Sequence, residues 1–399
     1  MISSFARASA LMLLLIVAPL TGCPPDDGSV PQAFPTLDES ATPTVTVVDD
    51  DKLIVRICTI LPSSGPSKDV GAEIRRGADI ARSAIESSKH TFQWTDKDTK
   101  STEPGAMAAF RACFNEGHHI IIGPVHPAAI TALIPVAASH DVVLIIPELG
   151  AAVPSTWGPS MAAVAPPATE MGRIAGNSAR RARGLRKGAV LHVPKVFGEG
   201  LRDAFSKEFL EAEEGGTMVD TRELAPDSPQ SWGAAAKELA SQGVDALFVV
   251  GPPEPSRAVA KAVRGTKTHA WFIDWAMHPP VLDAAAPDAR AQVHWVNRAL
   301  PRGEFEVAYR DRHQAKPEYP AGAGYDAVKL ATLAVAGSKS NWHEDISAAL
   351  RKVDNLPSAF GTAQVVEEGG IVFVDAAGYR LIEPVPLPDT NEWVFGGFE

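Results

Sequence analysis

One stretch of this 399-residue chain constrains its fold more than any other, His118 to Gly150. It strings together an apolar run (Ile120-Ile121-Ile122), a Gly123-Pro124 turn, a helical segment and a second apolar run, Val142 to Ile146, that stops at Pro147. Unbroken Val, Ile and Leu runs belong to strands covered on both faces, as in parallel sheets, and the loops leaving the carboxyl ends of such strands hold ligands. The stretch reads as strand, loop, helix and strand, and it puts function in the loops at His126 and Glu148.

The same unit recurs on either side. Leu53 to Leu61 is an apolar strand, and Pro62 to Pro66 turns it into a helix with Ile74, Ala78, Ala81 and Ile85 on one face and Arg75, Arg76, Asp79, Arg82 and Glu86 on the other. That is the 3.6-residue period of an amphipathic helix. A second strand around Phe92 to Thr95 ends in Asp96-Lys97-Asp98, and a helix follows from Glu103 to Glu116. After a crossing segment from Met161 to Pro167 and a helix ending near Gly184, strands return at Ala189 to Val193, Thr217 to Glu223, Ala246 to Val250 and Ala270 to Ile273. Helices separate them at about 200–213, 231–242 and 256–264. Beyond Asp274 the chain is irregular, then helical across Gly303 to His313 and Gly324 to Ala336, and it finishes in short strands around Ala363 to Val366, Ile371 to Val374 and Tyr379 to Pro384. These are too short to make a domain of their own. Strictly alternating strands and helices predict an α/β fold of two doubly wound parallel-sheet lobes.

The amino-terminal segment is of another kind. Arg7, an apolar run from Ala10 to Ala18 and the closing Leu20-Thr21-Gly22-Cys23 read as a signal peptide over 1–22. The ending resembles the bacterial lipobox, which implies lipidation of Cys23 and attachment of the mature chain to a membrane. A plain cleaved signal peptide or a short anchor is the alternative, although the run is short for a bilayer span. Pro24 follows Cys23, so enterobacterial sorting rules do not ask for inner-membrane retention, and either membrane stays open. From Pro24 to Asp51 five prolines and seven acidic residues occur with no Lys or Arg, so 23–51 reads as an acidic, extended tether. The formal net charge of -11 argues against a nucleic-acid partner, which would need clustered cations. The one basic cluster, Arg180 to Lys187, reads as a solvated helix end.

A family resemblance rests on phrases in order: Leu61-Pro-Ser-Ser-Gly65, Gly71 with Arg76-Gly77-Ala78, Ile121-Ile-Gly-Pro124, Phe197-Gly-Glu-Gly200, Gly243-Val-Asp-Ala-Leu-Phe248 and Gly324-Tyr-Asp-Ala327. Together they resemble the type I periplasmic binding proteins, in particular the branched-chain amino acid and amide binders of ABC importers. The resemblance implies two lobes joined by three crossings, near Val164, Trp295 and Leu356 here. Residues 52–164 with 296–356 would form lobe 1, and 165–295 with 357–399 lobe 2. It implies a ligand closed between the lobes, whose differential affinity for the shut state reports occupancy to a partner. The residues placed to hold it are Ser63 and Ser64, His126, Glu148 with Leu149, Phe197, Asp274 and Trp275. Ser63 and Ser64 precede a helix whose N–H groups suit an anion, Phe197 matches an aromatic lying on the ligand, and Asp274 matches an acid for an ammonium group.

Departures from the family pattern bear on the ligand. Amino acid binders of this group place Ser or Thr after the Gly-Pro turn and after the fourth strand, where this chain has His126-Pro127-Ala128 and Glu148-Leu149-Gly150. A ligand carboxylate facing Glu148 would be repelled, which favours a neutral, amide-like or cationic ligand. Plainer roles stand beside each assignment: a backbone-bonded histidine at 126, a solvated carboxylate at 148, a core tryptophan at 275, and helix-capping serines at 63 and 64.

Motifs of catalysis are missing. Gly198-Glu-Gly200 lacks the third glycine of a dinucleotide fingerprint because Asp203 stands there, and the chain has no P-loop, HExxH or GxSxG sequence. His118 and His119 are separated from His126 by a strand, which makes them poor joint metal ligands, so neither a metal nor a cofactor is expected. Cys58 in the first strand and Cys113 in the second helix are either bridged, as an oxidising compartment permits, or buried free thiols. The leading function is a non-enzymatic, extracytoplasmic solute-binding lipoprotein serving an ABC permease. A ligand-sensing receptor and a docking lipoprotein that meets another envelope protein are the alternatives.

Overall fold

The computed structural model describes residues 53–85, 89–148, 158, 160–164, 166–211, 215–273, 292–340, 342–368, 371–374, 379–386 and 393–396. The signal segment, Cys23, the tether, Leu149, Asp274 and Trp275 lie outside the described residues.

The first lobe is built on β1 (Leu53–Leu61), α1 (Lys68–Ser83), β2 (His90–Asp98), α2 (Glu103–Asn115), β3 (Ile120–Ile122), α3 (Pro127–Ser139), β4 (Val143–Ile146) and β5 (Met161–Ala163). Its seven strands lie in the order β13-β14-β5-β4-β3-β1-β2, where β13 is Val365–Glu368 and β14 is Ile371–Val374. All neighbours are parallel except β13 with β14. The apolar runs behave as their composition requires, since Ile120–Ile122 and Val143–Ile146 are wholly buried.

The second lobe repeats the plan. α4 (Thr169–Asn177) runs into a π-helical turn (Ser178–Ala182), followed by β6 (Lys187–His192), α5 (Lys195–Glu211), β7 (Thr217–Glu223), α6 (Pro229–Ser241), β8 (Ala246–Val250), α7 (Pro253–Ala262), β9 (His269–Ile273) and β10 (Val293–Arg298). The sheet order is β16-β15-β10-β9-β8-β6-β7, with antiparallel β15 (Tyr379–Pro386) and β16 (Trp393–Gly396) closing one edge. Between these sheets the chain visits α8 (Gly303–His313), α9 (Tyr319–Gly337), α10 (His343–Leu350) and a hairpin of β11 (Leu356–Ser358) and β12 (Gly361–Ala363).

Strand pairing corrects the expected lobe boundaries. The tail was expected to join lobe 2 from residue 357, yet β13 and β14 complete the first sheet, and only β15 and β16 belong to the second. The last crossing thus falls between Val374 and Tyr379 rather than near Leu356. Likewise Trp295 sits inside β10, so that passage follows Arg298. The physical reason is edge coverage: four-residue strands find partners only by extending sheets already formed, and each sheet leaves an open edge.

α9 is the central packing element of the first lobe. A β-carbon on Gly77 would lie 1.7 Å from the carbonyl oxygen of Ala321, and one on Gly324 would lie 1.9 Å from that of Ile74. Glycine at both places lets α1 and α9 meet backbone to backbone, which is why the Arg76-Gly77-Ala78 and Gly324-Tyr-Asp-Ala327 phrases belong together. The buried carboxyl of Asp326, also on α9, accepts from the Ser358 hydroxyl at 2.5 Å and the Ala359 N–H at 2.7 Å, tying the β11–β12 hairpin to the helix. Burial pushes this carboxyl up to about 7 against those two donors. The alternatives left open for the cysteines resolve as a disulfide, Cys58–Cys113, joining β1 to α2.

Candidate functional site

Both parallel sets send their carboxyl ends toward the passages between lobes: β5 ends at Ala163, β10 at Arg298 and β14 at Val374, each just before the chain changes sheet. The order β2-β1-β3 places a topological switch beside Leu61 and Ile122, and β7-β6-β8 places another beside His192 and Val250. Crevices at such switch points are where open α/β sheets bind ligands. His126, Glu148 and the Ser63–Ser64 turn on one lobe and Phe197 on the other therefore share the expected side of their sheets.

Ser63 and Ser64 do not offer a vacant anion site. The Asp98 carboxylate, at the end of β2, accepts from Ser63 N–H at 2.9 Å, Ser64 N–H at 3.3 Å, the Ser64 hydroxyl at 2.6 Å and Lys100 N–H at 2.8 Å. The Ser64 hydroxyl foremost, then these backbone donors, hold Asp98 well below the usual carboxylate range. Nor do the serines cap α1, whose N-cap is Ser67. The anion that the turn was expected to take is supplied by the protein itself.

His126 is the N-cap residue of α3, and it follows Gly123, whose φ of +111° suits glycine, and a cis bond to Pro124. Its side chain makes no capping bond, and its Nδ1 is buried with no hydrogen-bond partner. The backbone-bonded alternative for this histidine is thereby absent at Nδ1. Buried polar atoms ordinarily find partners, so this ring nitrogen is one of the exceptions among the described residues.

Glu148 is neither solvated nor an unpaired repulsive charge. Arg298 Nη1 donates to Glu148 Oε1 at 2.6 Å, and the guanidinium lies 4.6 Å from the ring centre of Tyr319. The Glu148 charge is thus paired with a cation fixed against it. This pair also bridges the sheets, since Glu148 follows β4 and Arg298 ends β10. Arg298 is not singled out in the sequence because the chain beyond Asp274 reads as irregular, with a crossing near Trp295; the apolar run Val293-His-Trp-Val296 was the available signal for a strand. Asp98 was likewise visible at the end of the second strand but carried no assigned role.

Phe197, in the first turn of α5, is half-buried and packs against both hydrophobic clusters of the second lobe. It has a core role in addition to any exposure toward the cleft. Among the described residues, no group of His, Cys, Asp and Glu is placed to hold a metal ion, and no helix is long and apolar enough to cross a membrane.

Comparison with known proteins agrees with this architecture. The family described as periplasmic binding protein matches residues 54–382. A substrate-binding protein of an ABC transporter from Sphaerobacter thermophilus superposes with a TM-score of 0.69 at 17% identity, covering 86% of this chain and 96% of that one. A leucine-binding protein from Thermotoga maritima gives 0.64 at 21% identity, over 86% and 97%. A solute-binding protein from R. palustris, solved in complex with benzoate, gives 0.64 at 19%, over 86% and 96%. No curated protein sequence matches the chain at a significant level. With two parallel sheets, three crossings and a family match spanning most of its length, the chain belongs to the type I periplasmic binding proteins.

Proposed function

We propose that this protein is an extracytoplasmic solute-binding lipoprotein, anchored through Cys23, that closes on a small polar ligand between its lobes and delivers it to an ABC importer without chemical change. The observation that carries the reading is the pair of switch-point crevices, flanked by His126 with its orphaned Nδ1 and by the Glu148–Arg298 pair across the sheets. His126, Glu148, Phe197 and, outside the described residues, Leu149, Asp274 and Trp275 are the proposed ligand contacts. Ser63 and Ser64 shape the rim through Asp98. Solved proteins of this fold hold benzoate and isoleucine, which supports an amino acid-like or small acid ligand here. The Cys58–Cys113 disulfide suits an oxidising, extracytoplasmic location.

A thermal-shift screen of the full chain against amino acids, amides, polyamines, aromatic acids and short peptides tests the proposal, because a ligand that binds only the folded state must raise its melting temperature. A concentration-dependent rise with one class supports solute binding. A flat response across all classes sinks it and directs attention to envelope proteins as partners.

A further inference from the structure

We infer that residues 44–48, at the end of the acidic tether, add to the first sheet as an edge strand antiparallel to β2 and close its open side. The inference concerns the chain's own amino-terminal segment and stands apart from the solute-binding reading.

Among the described residues the two large sheets end in four edge strands, and three of them are short or charged. β13 and β16 have four residues each, and β7 carries Asp220, Arg222 and Glu223. Brevity and charge are how natural sheets keep an edge from pairing further. β2 differs: it is nine residues long and has no Asp, Glu, Lys or Arg from His90 to Thr95. Its pairing with β1 runs without a shift from His90 to Asp98, and a bond beyond each end gives the direction of its backbone. Leu53 N–H donates to the Lys89 carbonyl at 2.9 Å, and Thr99 N–H donates to the Leu61 carbonyl at 3.3 Å. Backbone groups alternate in direction along a strand, so the odd-numbered residues face β1. The N–H and C=O of Phe92 and Trp94 therefore point to the open side. The rings of these two residues, 6.3 Å apart, pack on the core of the first lobe yet stay only half-buried.

Residues 44–48 read Thr-Val-Thr-Val-Val, β-branched at every position, with Val45 and Val47 on one face of an extended chain and Thr44 and Thr46 on the other. In an antiparallel register with Val47 opposite Phe92 and Val45 opposite Trp94, the backbone groups of both valines meet those of the two aromatic residues. Aliphatic side chains then lie beside aromatic rings on the apolar face, and Thr46 lies opposite Gln93 on the polar one. Residues 49–52 lead back to β1. Four residues reach about 13 Å when extended, against about 9.5 Å for two strand spacings, so the link is long enough to pass β2. A strand on so short a link acts at an effective concentration of order millimolar, which a second copy in dilute solution does not reach. The tether then ends at residue 43, and the edge is closed to pairing between neighbouring copies.

The experiment is amide hydrogen exchange of the full chain, read by mass spectrometry at residue resolution and at two protein concentrations. Residues 44–48 should exchange at least about tenfold more slowly than residues 26–40, with Val45 and Val47 slowest, and equally so at both concentrations. Val47→Pro removes a donor aimed at β2. The segment should then exchange at the tether's rate, and the amides of Phe92 and Trp94 should speed up by about tenfold or more. Thr46→Pro puts the missing donor on the solvent side, where an edge strand tolerates proline, and should keep the protection of Val45 and Val47. Exchange of residues 44–48 as fast as residues 26–40 in the parent overturns the inference, and equal loss in the two proline variants overturns the pairing on which it stands. Protection of Phe92 and Trp94 that grows with concentration while residues 44–48 stay fast also overturns it and assigns the edge to a second copy.

Discussion

Ala321 presents its carbonyl oxygen so close to Gly77 that a β-carbon on that glycine would stand 1.7 Å away. A backbone atom cannot swing aside as a side chain can, so Gly77→Ala must push α1 from α9. We expect a loss of about 3 kcal/mol or more, read as a lower urea midpoint. Gly233, within α6, is the control: its added β-carbon would meet nothing nearer than 3.4 Å. Gly233→Ala should stabilise by about 0.5–1 kcal/mol through helix propensity. Equal behaviour of the two variants would refute the account of the α1–α9 contact.

The disulfide links residues 55 positions apart. A loop of that length corresponds to about 4 kcal/mol of lost unfolded-state entropy in the chain-entropy model. The Cys58→Ala/Cys113→Ala double variant should melt well below the parent in non-reducing buffer, and reductant should bring the parent down to match. Alkylation with mass spectrometry should find both thiols blocked until reduction.

Asp326 predicts an unusual slope of stability with pH. Its folded carboxyl titrates at about 7, above its ordinary value of 3.8, so the folded state retains a proton that the unfolded chain releases between those values. The contribution is therefore fully present below about pH 4, declines as pH rises, and is gone above about pH 7, amounting to about 4 kcal/mol at most. Asp326→Asn keeps an acceptor for Ala359 N–H and adds a donor toward Ser358. It should flatten this component and stabilise the protein at pH 8. Denaturation of both forms at pH 5 and pH 8 checks the sign.

Asp98 has the opposite sign. Its carboxyl is depressed below 3.8 in the fold, so its contribution is present above that value and lost as pH falls through the folded one. Asp98→Asn should be less stable than the parent at pH 7 and should narrow the gap at pH 2–3. An unchanged gap would mean that the Ser63–Ser64 turn holds without the carboxylate.

Much of the fold was legible in the sequence because buried parallel strands write themselves as unbroken apolar runs and their helices as 3.6-residue stripes; β3, β4, β6, β8 and β9 emerge almost residue for residue. The tail was not, since four-residue strands carry no partner information and Val365–Val374 could have joined either sheet. α10 was missed because eight residues give barely two turns of pattern, and α9 starts at Tyr319, five residues before the expected Gly324, because its Pro320 reads as a breaker although proline is at home in a first helical turn. For the site, placement was legible and partnership was not. His126 and Glu148 follow their strands as expected, but what holds each charge lies far away in sequence, with 150 residues separating Glu148 from Arg298 and 34 separating Ser64 from Asp98.

The return of β13 and β14 to the first sheet has a consequence for how the chain is made. When the ribosome has finished β10, the first sheet still lacks both strands on its β5 side, and the second lacks β15 and β16. The first sheet is complete only once Val374 has been made and the second only once Gly396 has, so both edges stay open until the last forty residues or so appear, which delays stable folding during synthesis. A chain that is exported before it folds gains time from that arrangement.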